Sequence, residues 1–223
     1  MSLKSFNLKL KSKISKFNKV INVDSDKSIS IRSFLIGAIS EDISTVKNVL
    51  ESEDVFSTID CLKKLGVKIK KVSSKNYKIF GKGLGSLTIK KGEVLNFGNS
   101  GTLARLLIGI LSSTPNIEVK VRGDRSLNRR NMKELIEILS DFGAEFLPSK
   151  RYKFPLNLIS SQIPIGIEYQ AGVSAQLKSA VILAGLNSFG NTKIVEAARS
   201  RDHTENMLLK NKNVIKIKSD INK

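Results

Sequence analysis

Three stretches of this chain are apolar on nearly every side at helical spacing: residues 30–38, 102–110 and 175–185. A helix without a solvated face belongs in the centre of a domain rather than on its surface. Their glycines, Gly37, Gly109 and Gly185, lie 72 and 76 residues apart, which points to an internal repeat. An amphipathic pattern follows each. Val55, Ile59, Leu62 and Leu65 mark one helical face, Gly66 fits a C-terminal cap, and residues 67–70 alternate as a strand. Met132, Leu135, Ile138, Leu139 and Phe142 repeat this ahead of Gly143 and a strand over 144–146. The third copy is shorter: Met207 and Leu208, no glycine, then a predicted strand over 214–217. Strands are also predicted at 117–121, 165–169 and 192–195, with hairpin partners at 77–80 and 154–158. The result is an α/β chain of three βαβαββ-like units, over about 24–95, 96–163 and 164–223, the last incomplete.

The buried helices share a kind of start. The first opens at Asp26-Lys27-Ser28, the second follows Phe97-Gly98-Asn99-Ser100-Gly101-Thr102, and the third follows Gly172-Val173-Ser174. A helix start leaves backbone amides unpaired and carries the positive end of the dipole, so it can seat phosphate or carboxylate. Three such starts predict an anionic small molecule held between them.

Composition narrows the classes. At 223 residues and 40% hydrophobic, the chain can bury a core, with one or two domains expected. One cysteine, Cys61, and one histidine, His203, exclude an internal disulfide and leave Cys- or His-based metal sites unsupported. The first residues lack a signal peptide's apolar core, and no apolar run approaches the roughly 20 residues that span a bilayer. A soluble cytoplasmic protein without membrane partners is expected. The net charge of +18 admits nucleic-acid binding. Yet the lysines are scattered, aromatics make up only 6% and Trp is absent, so stacking platforms for single strands are not expected. Lysine-rich solvated faces account for the charge, and their field favours a small anion.

Five motifs then appear in order: Asp26 to Arg32; Phe97 to Thr102 with Arg105; Gly123-Asp124-Arg125-Ser126-Leu127 with Arg129-Arg130; Ser174 to Ala180; and Ser200-Arg201-Asp202-His203-Thr204-Glu205. Together they resemble the enolpyruvyl transferases, and within them the 5-enolpyruvylshikimate-3-phosphate (EPSP) synthases. The resemblance implies transfer of an enolpyruvyl group from phosphoenolpyruvate to the 5-hydroxyl of shikimate 3-phosphate, in the route to chorismate and aromatic amino acids. It implies neither metal nor organic cofactor, and relatives that are usually monomeric. The implied fold is two inverse α/β-barrel-like lobes of three units each, with helix N-termini aimed at the cleft. Residues 23–223 would form the N-terminal lobe, residues 1–22 a strand segment of the C-terminal lobe, and that lobe itself would be missing.

By the same resemblance, Lys27, Ser28, Arg32, Ser174, Gln176 and Ser200 would hold shikimate 3-phosphate. Lys27, Gly101, Arg130 and Gln176 would hold phosphoenolpyruvate, with Asn99 and Thr102 shaping the loop. The roles of Arg105, Arg125, Arg129, Lys178, Arg201 and His203 stay open, Arg105 reading better as structural and His203 as a cap or packing residue. No catalytic acid or base is expected in this half, so the 223-residue polypeptide is expected to bind shikimate 3-phosphate weakly at most and without turnover. Three departures stand out: Val23-Asp24-Ser25 replaces a Pro-Gly turn, Asn131 a proline, and Ala175 a second serine. The UDP-N-acetylglucosamine relative fits less well, because Ser28 follows Lys27 and Cys61 falls on the apolar face of a first-unit helix. A non-catalytic ligand-binding fragment and a basic nucleic-acid module are the remaining alternatives.

Overall fold

The computed structural model describes Lys9, residues 23–210 and residues 214–218. The expected strand segment over 1–22 therefore lies outside the described residues, apart from Lys9. Unit one runs α1 (Lys27–Ile39), β1 (Ile43–Val46), α2 (Glu53–Lys64), β2 (Lys68–Ser73) and β3 (Asn76–Phe80). Unit two runs β4 (Val94–Asn96), α3 (Gly101–Ser112), β5 (Glu118–Arg122), α4 (Lys133–Asp141), β6 (Glu145–Leu147) and β7 (Leu156–Ile159). Unit three runs β8 (Glu168–Ala171), α5 (Ala175–Gly185), β9 (Lys193–Glu196) and α6 (His203–Leu208). Because β4 pairs with β5, unit two opens two residues before the predicted boundary.

The sheets carry the repeat. Unit two is complete, in the order β4-β5-β7-β6, with β4 and β5 parallel and β7 antiparallel to both β5 and β6. Unit one shows the equivalent of its last three strands, β1-β3-β2, all antiparallel. Unit three shows the first two, β8 and β9, in parallel. The strand predicted over 214–217 is not formed. A strand exists only by pairing, and residues 214–218 have no ladder partner among the described residues.

The all-round apolar helices are central. Eleven of the twelve α3 residues are buried, Arg105 being the exception. Gly109 of α3 packs on α5 so closely that a Cβ there would lie 2.6 Å from the Ala180 carbonyl oxygen. The amphipathic helices α2 and α4 lie outside, burying Val55, Ile59, Cys61, Leu62, Leu135 and Leu139. Acidic Glu53 and Asp54 open α2 and Lys63 and Lys64 close it, matching the helix dipole. Gly66 and Gly143, at φ +83° and +93°, reverse the chain after α2 and α4 where an L side chain would be strained.

Candidate anion-binding site

The N-terminal ends of the inner helices are linked from tip to tip. Lys27, the first residue of α1, pairs with Asp54 in the first turn of α2 at 2.8 Å. Gly98, entering α3, rests on α2, where a Cβ built on it would lie 2.9 Å from Ser57 Oγ. Gln176 Nε2, in the first turn of α5, donates to Thr102 Oγ1 of α3 at 3.1 Å. The three tips thus share one side of the molecule.

Their readiness for an anion differs. Ser100 Oγ caps α3 by accepting from Leu103 N at 3.2 Å, and Ser174 Oγ caps α5 by accepting from Leu177 N at 3.4 Å. Each neutral cap leaves the first amides of its helix outward. At α1 the cap is the Asp26 carboxylate, which accepts from Ile29 N at 2.7 Å. A negative group already complements that dipole, so the expectation of three equivalent seats is corrected: α3 and α5 offer neutral tips, and α1 does not.

Over the first residue of α3 two guanidinium groups converge. A Cβ on Gly101 would lie 2.7 Å from Arg130 Nη1 and 3.0 Å from Arg105 Nη1. Arg130 Nη2 donates to Asn99 Oδ1 at 2.7 Å, and Arg105 Nη1 donates to the Gly101 carbonyl at 3.1 Å. Burial, and then the nearby Arg130 charge, hold the Arg105 guanidinium below its ordinary pKa. Two like charges beside a dipole's positive end form an arrangement that an oxyanion relieves, and guanidinium forks suit oxyanions. A cavity of about 150 Å³, lined in part by Arg105, Glu134, Ser174 and Leu177, opens next to it. A larger one, about 620 Å³ beside Arg129, Arg151 and Tyr152, includes none of the residues assigned from the sequence.

A second cluster lies between α1, α5 and α6. Arg32, only 4% exposed, donates through Nε to Thr204 Oγ1 at 2.8 Å, through Nη2 to Ser179 Oγ at 3.1 Å and through Nη1 to the Ser28 carbonyl at 3.3 Å. Burial lowers its pKa, with Glu205 acting in the opposite direction. Ser200 is turned onto a carboxylate, its amide and hydroxyl both donating to Glu196 Oε1 at 3.1 and 2.7 Å. Glu196 and Glu205 both face Lys178 Nζ, at 2.9 and 2.5 Å.

The residues assigned to phosphoenolpyruvate thus meet as Gly101 with Arg130, and as Gln176 on the neighbouring tip, while Lys27 is on the α2 side with Asp54. Of the residues left open, Arg125, Arg129 and Arg201 are exposed and His203 is half-buried at the start of α6. Sequence reasoning missed Asp54, Glu196 and the linking role of Thr204. Asp54 was signalled only as an acid in a first turn, and Thr204 sat unassigned inside a quoted motif. Cys61 Sγ is buried 3.4 Å from the Asn96 carbonyl, and burial pushes its pKa up to about 12. It lacks the thiolate character of a reactive cysteine.

Residues 11–222 match the family model described as EPSP synthase (3-phosphoshikimate 1-carboxyvinyltransferase). The 3-phosphoshikimate 1-carboxyvinyltransferase of Bacillus cytotoxicus is 44% identical over 193 residues, covering 86% of this chain and 45% of the relative. The corresponding protein of Paramagnetospirillum magneticum is 41% identical over 187 residues, covering 83% and 42%. Among solved structures, EPSP synthase from Acinetobacter baumannii superposes with a TM-score of 0.78 at 36% identity, over 85% of this chain and 42% of that one. The chain therefore spans under half the length of the curated relatives it matches.

Proposed function

Because the chain belongs to the EPSP synthase family, we propose that it supplies the substrate-gripping half of enolpyruvyl transfer from phosphoenolpyruvate to the 5-hydroxyl of shikimate 3-phosphate. The observation that carries this reading is the pair of guanidiniums over Gly101 at an uncharged helix tip. That seat takes a small doubly charged anion such as phosphoenolpyruvate, with the α3 amides and Arg130 meeting its oxygens. The glycine removes the Cβ that would occupy the space. Gln176, bonded to Thr102, lies between this seat and the α5 tip, where Ser174 would meet shikimate 3-phosphate. Lys27 would join them by leaving Asp54 for the ligands, an exchange favoured because its side chain is about half exposed.

The chemistry also requires proton transfer. Among the described residues near the tips, Asp54 pairs with Lys27, and Glu196 and Glu205 pair with Lys178, while Asp26 caps α1 and Glu134 lines the cavity beside Arg105. Of these, Glu196, against its burial, is held below its ordinary pKa by Ser200 and Lys178, which makes it a weaker base. The 223-residue polypeptide is expected to bind shikimate 3-phosphate weakly at most and to turn nothing over.

Calorimetric titration with shikimate 3-phosphate, then with phosphoenolpyruvate on top, tests the proposal. Arg130→Ala should weaken the phosphoenolpyruvate step about tenfold or more, the size of a lost charged hydrogen bond. Lys27→Ala should weaken both steps. Equal heats from wild type and variants would remove the assigned site. Binding indifferent to shikimate 3-phosphate, yet collapsing for oligonucleotides as salt rises, would favour the nucleic-acid alternative.

A further inference from the structure

Lys178 is only 2% exposed, and nothing in the proposed ligand contacts uses it. Burying an ammonium is unfavourable unless it is paired. Here burial acts to lower its pKa, but Glu205 and Glu196 outweigh that, and the pKa ends above the ordinary lysine value. The ammonium is therefore fixed, and each of its partners holds a further residue. Glu196 Oε1 accepts both the Ser200 amide and the Ser200 hydroxyl. Glu205 is adjacent to Thr204, whose Oγ1 accepts from Arg32 Nε and donates to Ser179 Oγ at 2.8 Å. Lys178 thus sits between the two segments that present Ser200 and Arg32.

We infer that Lys178 is a positioning and charge-neutralising residue for the phosphate-bearing ligand, acting through Glu196 on Ser200 and through Glu205 on the Thr204–Arg32 pair. The inference rests on the reading of Ser200 and Arg32 as contacts for shikimate 3-phosphate. Two carboxylates beside an anion seat repel the ligand. The ammonium pairs with both and offsets that repulsion, and Glu205 also lies within the field of Arg32. Lys178 also holds Glu196 where Ser200 can lean on it, which fixes the loop after β9 before the ligand arrives.

The experiment uses Lys178→Met, Glu196→Ala and the double variant Lys178→Met/Glu196→Gln, read first by amide hydrogen exchange at Ser200. Lys178→Met should speed exchange at Ser200 about tenfold, because Glu196 is no longer anchored. Glu196→Ala, whose side chain is partly exposed, should do the same with the Lys178–Glu205 pair intact. The double variant, whose neutral amide needs no ammonium, should restore much of the protection. A purely space-filling lysine predicts no such rescue. Unchanged exchange at Ser200 in either single variant, or a double variant no better than Lys178→Met, overturns the inference. Should Lys178→Met not fold, Glu196→Ala decides alone. Titration with shikimate 3-phosphate on the same proteins should follow the exchange order, and weakened variants that exchange normally overturn it. A wild type that ignores this ligand sinks the functional reading, while the exchange data still decide whether Lys178 organises Ser200.

Discussion

At Gly101 a methyl group would meet only the ends of two arginines, at 2.7 and 3.0 Å. Those ends can swing away, so Gly101→Ala should leave the melting temperature nearly unchanged. The displaced Arg130 and Arg105 should nevertheless weaken phosphoenolpyruvate binding, which titration beside a melting curve would show. Cys61, its thiol pushed up to about 12 by burial, should resist a thiol reagent at pH 8 until denaturant is added. Rapid labelling of the native protein would contradict its place in the core. Burial would raise the pKa of Glu196, but Ser200 and Lys178 hold it below the ordinary 4.5. Its contribution is therefore present above about pH 4.5 and lost as pH falls through the lowered value. Lys178 has the opposite sign: its raised pKa keeps its contribution whole below 10.5 and loses it only as pH climbs past that. Melting curves across acid pH should fall less steeply for Glu196→Gln than for wild type.

Among the elements, the contact between α3 and α5 sets the spacing of the site. Gly109 has no room, because a Cβ would lie 2.6 Å from the Ala180 carbonyl oxygen and 2.9 Å from its Cα. Backbone cannot yield as an arginine tip can. Gly109→Ala should cost roughly 1–3 kcal/mol, the usual range for overpacking, and should separate Thr102 from Gln176. Chemical denaturation would measure the cost, and an unchanged midpoint would contradict the close approach. The helices themselves were legible in the sequence, since all-round apolar runs and the glycines after α2 and α4 are local signals. The strand expected over 214–217 shows the limit of such signals. Alternation makes a segment suitable for a sheet, but only a neighbouring strand supplies its hydrogen bonds.

For the molecule as a whole, the 223-residue sequence carries a net charge of +18. Like charges on the surface repel in the folded state and are screened by salt. Adding sodium chloride from low to physiological strength should therefore raise the melting temperature while weakening the encounter with shikimate 3-phosphate, and opposite trends would assign the charge another role. By itself the sequence determined the triplication, the buried helices and the order of the family motifs, because periodicity, caps and glycines act over a few residues. The tertiary structure alone decided the partners: Asp54 for Lys27, Glu196 for Ser200, and Thr204 for Arg32, the last pair 172 positions apart. The Arg32–Thr204 contact depends on how units one and three pack, and the other two on how a loop or helix folds back within its own unit, none of which shows in an apolar pattern. The acid that complements the α1 tip, Asp26, is a local cap three residues from its donor, whereas the two guanidiniums over Gly101 are brought together only by the fold.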